Sequence, residues 1–337
     1  MTSDPRVTAL MSFGYTPNQA AFLALVALHG GYFLRRQYVA FLGCIDGAVV
    51  SELIKRLLER HHATRATFCR ETKVYHLSAR PLFEALSLGN SRNRRPAPAA
   101  AITFKLMTLD VVLRHRNATF LATEAEKVAY FTTTCGLSRA VLPAVCYQSR
   151  TPGRPPTTRY FVDKAPIFTT PSSPDITVVY LQGWSTTLTG LETFLLQYRA
   201  LLTALPHARV MFVTTNPTLI PDVTARWRHL WGQSAPSTPC VSVSRTELEA
   251  HFLVRQHIDR KEWHALEQHD LDRHRNDLAR FSSPQIDALY RRWCMLGEPA
   301  FQTVDLTDGA PAAVPPPLDT ELLPYRYPLF PAAGHHQ

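Results

Sequence analysis

The chain has 337 residues, 45% of them hydrophobic and 19% charged. That balance supports a large core and excludes global disorder. The length is enough for two or three compact domains. The formal charge is +9 at neutral pH and unevenly spread. Residues 1–95 hold 13 Lys and Arg against 6 Asp and Glu, residues 96–240 hold 13 against 7, and residues 241–337 hold 10 against 14. A basic front and an acidic back point to a polyanion partner for the front, the alternative being a basic surface that is merely solvated. The longest apolar stretch, Ala20 to Leu34, is interrupted by His29-Gly30-Gly31 and is too short and broken to span a bilayer. Gly14 and Pro17 interrupt the N-terminus before an apolar core forms, so no signal peptide is expected and the expected location is the cytoplasm. The cysteines at 44, 69, 135, 146, 240 and 294 form no CxxC pair. Reduced, mostly buried thiols are expected rather than a zinc knuckle or a redox dithiol, with disulfides left open.

Thr16-Pro17 is a helix start, a hydroxyl cap followed by Pro at the first helical position. Ala21, Phe22, Leu25, Val26 and Leu28 follow at helical spacing up to Gly30-Gly31. A second short helix fits Leu34 to Leu42, stopped by Gly43. A third runs from Asp46 to about Arg60. Its apolar stripe is Val49, Val50, Leu53, Ile54, Leu57 and Leu58, with Ser51, Glu52, Lys55, Arg56 and Arg60 facing outward. Thr64 to Phe68 and Lys73 to Leu77 then read as a hairpin. Three helices and a hairpin in this order predict a winged helix-turn-helix domain over residues 10–90, closed by a helix from Arg80 to Leu88. The basic, Pro-broken segment 91–100 is the expected linker.

The second domain, residues 101–235, opens with helices over Ile102–Arg116 and Thr123–Thr133. Strands are expected at Ala144–Gln148, Arg159–Val162, Ile167–Thr169, Ile176–Leu181 and Val210–Thr214, and helices at Leu188–Leu205 and Thr218–Trp231. The order predicts an α+β or α/β sandwich with a mixed sheet. Residues 240–300 read as a charged helical extension. Residues 305–337, with Pro315-Pro316-Pro317, read as a flexible Pro/Ala-rich tail.

In a winged helix the third helix enters the major groove and the hairpin touches the flanking backbone. The expected double-stranded DNA contacts are therefore Ser51, Lys55, Arg56 and Arg60 on the helix, Arg65, Arg70 and Lys73 on the hairpin, and Arg35 and Arg36 on the preceding turn. Their cations match phosphates by charge, and Arg also by bidentate geometry. Winged helices also dock proteins, so an antitoxin-like interaction module stays open.

The stretch from Tyr15-Thr16-Pro17 through Tyr75-His76-Leu77 resembles the winged-helix N-terminus of the bacterial replication-relaxation family, a group tied to plasmids and other mobile elements. The resemblance continues to about residue 230 through Tyr160-Phe161-Val162-Asp163, the segment Thr177 to Thr186, Gln197-Tyr198-Arg199 and Val210-Met211-Phe212-Val213. It implies a second domain like a restriction endonuclease core. Leu181 and Gly183 stand where that family's acidic pair would be, and Asp175 lies at the wrong end of its strand. Only Asp163 and Lys164 remain as weak catalytic candidates. One carboxylate does not hold Mg²⁺ against its hydration shell, so the expectation leans away from an enzyme. A nuclease drawing on Glu124 or Glu126 stays open as the alternative.

His251, His257, His264, His269 and His274 never fall at the i,i+4 spacing of a helical metal pair. His61-His62 is expected to meet the helix end or a phosphate. Trp227, Trp231 and Trp293 are expected in core packing or a protein interface rather than in base stacking. No phosphate loop, dinucleotide turn, nucleophile elbow or deaminase pattern occurs, and no cofactor or metal is called for. The expected protein is a non-catalytic DNA-binding protein of replication control or transcriptional regulation. Its C-terminal domain would recruit a protein partner or a second copy.

Overall fold

The computed structural model describes residues 4–67, 72–147, 157–171, 173–183, 187–233, 245–260, 262–281, 284–296, 300, 315–325 and 327. The described residues form a mixed α+β structure in two compact units. One comprises residues 1–144, 160–231 and 315–337, the other residues 145–159 and 232–314.

The first unit starts with α1 (Pro5–Met11), which the sequence reading missed, capped by Asp4. Then come α2 (Pro17–His29), β1 (Tyr32–Leu34), α3 (Arg35–Leu42), α4 (Ala48–Glu59), β2 (Ala63–Thr67), β3 (Lys73–Leu77) and α5 (Arg80–Ala85). Thr16 caps α2 through a reciprocal box with Gln19. The strand order is β1-β3-β2, antiparallel throughout, with Arg65 opposite Tyr75 and Thr67 opposite Lys73. Phe22, Leu23 and Val26 of α2 meet Val50, Leu53, Ile54 and Leu57 of α4 in one core. Val49 departs from the expected stripe: it is 59% exposed.

The remainder of this unit is α6 (Ala99–Arg114), β4 (Thr119–Phe120), α7 (Glu124–Ala129) with a π-turn at Tyr130–Thr134, β7 (Ile167–Thr170), β8 (Ser173–Gln182), α8 (Thr189–Ala204), β9 (Ala208–Thr214), α9 (Ile220–Gln233) and β10 (Leu318–Leu322). β5 (Ala144–Tyr147) and β6 (Thr157–Tyr160), between α7 and β7 in sequence, form a two-stranded ribbon that belongs, but for Ala144 and Tyr160, to the other unit. The five-stranded sheet has the order β10-β9-β8-β7-β4, parallel across β10, β9 and β8 and antiparallel across β8, β7 and β4. Successive strand residues point to opposite faces. Ile176 and Val178 accordingly pack with Leu191, Leu195 and Tyr198 of α8 and Trp227 of α9. Val179, Val213 and Phe168 pack on the other face with Ile102, Leu106, Met107 and Val111 of α6.

Two expectations about organisation are corrected here. Residues 91–100 do not separate two compact bodies. Arg92–Arg94 form a 3-10 turn with Asn93 buried, and α6 is shared: Leu109 and Leu113 complete the core beneath α2, while its other side covers the five-stranded sheet. The 305–337 segment is not wholly a tail without a core. β10 pairs in parallel with β9 from Leu318↔Val210 to Leu322↔Thr214, and Leu323 and Tyr327 are buried.

The second unit contains α10 (Arg245–Asp259), α11 (Gln268–Phe281) and α12 (Pro284–Leu296). Within the stretch read as a charged helical extension, α10 and α11 are separated by a 3-10 turn at Trp263–Ala265. Leu248, Phe252, Phe281, Leu289, Tyr290 and Trp293 form its core. Arg255 pairs with Asp287 at 2.5 Å and lies over the Tyr290 ring, whose hydroxyl donates to Asp259 at 2.7 Å. Among the described residues no helix is long and apolar enough to cross a membrane.

Candidate nucleic-acid interface

The turn between α3 and α4 is built by Arg35. Its Nε donates to both Asp46 carboxylate oxygens, at 2.9 and 2.7 Å, and its Nη2 donates to Ser51 Oγ at 2.8 Å. The Ser51 hydroxyl in turn donates to the Gly47 carbonyl at 3.1 Å. The Arg35 guanidinium holds the Asp46 carboxyl below the usual carboxylate range. Arg35 and Ser51 therefore shape the start of α4, and both are committed to that contact.

Three further cations expected at the DNA also bond within the protein, Arg36 to a buried group and Arg56 and Arg60 at the surface. Arg36 forms a two-pronged pair with the buried Asp110 of α6, at 2.6 and 2.8 Å, and lies 3.8 Å from the centre of the Tyr325 ring. The Tyr327 hydroxyl donates to the same carboxylate, and burial together with Asp110 pushes that phenol far up. Arg56 donates to the Gly14 carbonyl at 3.0 Å and to Glu52 at 2.5 Å. Arg60 donates to the Phe13 carbonyl and faces the Tyr15 ring. Arg36 supplies the buried Asp110 carboxylate with a partner it needs in the interior, while Arg56 and Arg60 tie α4 to the turn before α2. His62 also serves packing, with its Nδ1 2.6 Å from the Tyr15 hydroxyl.

Lys55, Arg65 and Lys73 are exposed. Lys55 is 3.7 Å from Glu59, one turn on. Arg65 on β2 and Lys73 on β3 occupy diagonal positions on one face of the hairpin, within reach for long side chains. They form no ion pair among the described residues. Arg70 lies outside the described residues. The outward face of α4 also carries Glu52 and Glu59, so its charge is mixed; Ile45, in the turn before it, is 93% exposed and Val49, in its first turn, 59%. That apolar pair escaped the sequence reading, because helical spacing placed Val49 in the stripe.

The weak catalytic candidates, Asp163 and Lys164, occupy the turn before β7. Asp163 Oδ1 accepts from the Tyr198 hydroxyl at 2.8 Å and from the Ala165 amide at 3.3 Å. The Lys164 amine donates to Asn93 Oδ1 at 3.1 Å. The other carboxylates weighed for catalysis have structural partners. Glu124 accepts from the Tyr160 amide at 2.8 Å, Glu126 caps α7 and pairs with Arg6, and Asp175 faces Arg209 at 3.5 Å. Among the described residues no three His, Cys, Asp or Glu side chains come together as a metal site. Lys127, unmarked in sequence, is buried with its amine on the Ala165 carbonyl at 2.5 Å. Burial brings its pKa down to about 8. At the carboxyl ends of β8 and β9, where open α/β sheets commonly bind ligands, Leu188, Thr189, Leu219 and Asp222 line a shallow groove. It is crossed by the Arg226–Glu192 ion pair.

The chain matches no protein-family model, no curated protein and no solved structure.

Proposed function

We propose that the chain is a double-stranded DNA-binding protein of plasmid or mobile-element type, acting without catalysis in replication control or transcriptional regulation. The observation that carries this reading is the order helix, strand, helix, helix, hairpin, with the strands arranged β1-β3-β2. That arrangement fits a winged helix. In it α4 would lie in the major groove with Lys55 outward, and the hairpin would set Arg65 and Lys73 against the flanking backbone. The five-stranded mixed sheet, with α8 crossing from β8 to β9, fits a restriction-endonuclease-like core. Both halves support the resemblance to the replication-relaxation family.

Fluorescence anisotropy on a duplex of about 30 base pairs, over a salt series, tests the reading. Binding should weaken steeply with salt, and the slope should fall by about 0.9 for each phosphate contact removed in Lys55→Ala or Arg65→Ala/Lys73→Ala. A folded protein that leaves the duplex unbound at low salt overturns it.

The exposed Ile45 and Val49, just before α4 and in its first turn, favour a second reading, a protein-docking module, because large apolar side chains held in solvent are suited to a protein surface. A nuclease-resistant protein complex lost in Ile45→Glu, without DNA binding, would select it.

A further inference from the structure

β10 is the last strand of the five-stranded sheet, and its outer edge pairs with no other strand among the described residues. Which residues face outward follows from two hydrogen bonds to β9. The Val210 amide donates to the Pro317 carbonyl at 2.9 Å, and the Leu323 amide donates to the Thr214 carbonyl at 2.8 Å. The backbone groups of a strand point to alternate sides from one residue to the next. Residues 317, 319, 321 and 323 therefore serve β9, and Leu318, Thr320 and Leu322 turn their amides and carbonyls outward. Around Thr320 the sequence is the same in both directions by residue type: Asp319 and Glu321, Leu318 and Leu322, and Pro316 and Pro324 lie at equal distances from it. Charges on an edge strand commonly keep other chains away. Here the two acids are already matched. Arg209 holds Asp319 at 3.0 Å, and Arg114 and His115 approach Glu321 at 2.5 and 2.7 Å. Thr320 is exposed, and Leu322 is 37% exposed.

We propose that β10 is the interface with a second copy of this chain, the two strands running antiparallel about a two-fold axis at Thr320. In that register Thr320 faces its own counterpart, Leu318 of each copy faces Leu322 of the other, and Asp319 of each faces Glu321 of the other. Every second pair of an antiparallel ladder exchanges both backbone bonds. Residues 318, 320 and 322 all fall on exchanging pairs, so every outward amide finds a carbonyl. Leu318 covers the exposed Leu322, and the facing threonines are a favourable cross-strand pair. The acids meet as like charges with an arginine already on each. The ladder stops at both ends, because Pro316 and Pro324 have no amide proton and the Pro316 carbonyl accepts from Trp227 Nε1 at 3.1 Å. The contact therefore closes at two copies instead of growing into a fibre. A strand of another protein would meet the same backbone groups, but only pairing with itself calls for a sequence symmetric about Thr320. Five residues a side is a small contact, so the dimer is reversible. The proposal does not depend on the DNA-binding reading.

Sedimentation equilibrium of the full chain over about 1–100 μM tests this. The native chain should pass from one copy to two. Thr320→Lys sets two ammonium groups opposite each other across the axis. Thr320→Pro removes the outward amide, which an edge strand tolerates. Each should raise the dissociation constant by at least about tenfold, with the native melting temperature at a concentration where both proteins are monomeric. Thr320→Val keeps the backbone groups and should keep the dimer. A native chain that is monomeric throughout leaves the edge to a strand of a different protein and overturns the proposal. A dimer that Thr320→Lys and Thr320→Pro leave intact lies elsewhere and also overturns it. If either variant melts early, Thr320→Cys decides. The Cα atoms of an exchanging pair are about 5.5 Å apart, within disulfide reach. Under mild oxidation, mass spectrometry should find the peptide linked to itself through position 320. Leu196→Cys, at a 60% exposed position on α8, gives the background from random collision. Linkage at 320 no more frequent than at 196 overturns the interface.

Discussion

Arg36 and Lys55 look alike in a sequence and act oppositely in the structure. Arg36 neutralises Asp110, whose side chain is 3% exposed, and removing one partner of such a pair strands a buried charge. Arg36→Met should cost about 2–3 kcal/mol in urea unfolding. Arg36→Met/Asp110→Leu should recover much of that loss, and Lys55→Ala should stay within about 0.5 kcal/mol of the native protein. His29 sets a pH dependence. Burial, then the Lys127 charge, lowers its pKa to about 4, so the fold favours neutral imidazole. The unfolded chain takes up this proton first. The contribution is therefore fully present above about pH 6.5 and is lost as pH falls toward 4, by about 2 kcal/mol. The stability difference between the native protein and His29→Gln, measured by urea midpoint, should shrink from pH 7.5 to pH 4.5; a constant difference would contradict the assignment. Nothing in a one-letter code separates an arginine that reaches Asp110, Gly14 or Phe13 from one that reaches solvent. The cations were legible in the sequence as a set, while their individual roles depended on partners up to 74 residues away.

Elements with strong local signals were the legible ones. Thr16-Pro17 marks α2 because the cap, the Pro and the Gln19 box act within four residues. The stripe Val50, Leu53, Ile54 and Leu57 marks α4 for the same reason. β1 was hidden because three residues carry no period, and Leu34 merges with α3, whose first turn is capped by Gln37 Oε1 accepting from the Leu34 amide at 2.9 Å. Two glycines separate backbone conformation from packing. Gly43 ends α3 at φ +63° with open space around it, whereas Gly31, at φ +79°, would place a Cβ on the Asn93 carbonyl oxygen. Gly43→Ala should cost about 1 kcal/mol, and Gly31→Ala at least about 2 kcal/mol more, since the turn under Asn93 must move. Thermal unfolding of the two variants side by side checks the order.

At the scale of the whole molecule the sequence misled where one element serves two cores. α6 buries Leu109 and Leu113 against one core and Ile102, Leu106 and Val111 against another. A helix apolar on so many sides offers no periodicity from which to read a partner, and the basic segment before it looked like a linker. β10 was missed because Leu318-Asp319-Thr320-Glu321-Leu322 follows three prolines and carries two acids. Those acids have partners: Arg209 Nε donates to Asp319 at 3.0 Å, and Arg114 and His115 approach Glu321 at 2.5 and 2.7 Å. A chain stopped at residue 314 loses this strand and leaves the β9 edge unpaired, a template for aggregation. Such a chain should be recovered mainly as aggregate, and a soluble product with native circular dichroism and melting temperature would refute the structural role of β10.

The contact between Tyr327 and Asp110 spans 217 residues, and this has a consequence during protein synthesis. At about 5–20 residues per second, Asp110 leaves the ribosome roughly 10–40 s before the tyrosine that completes its shell. Through that interval Arg36 is its strong partner among the described residues, and the β9 edge that β10 will cover stays open. β10 and Tyr327 thus complete the sheet and the Asp110 shell only after every other element of the first unit has been made.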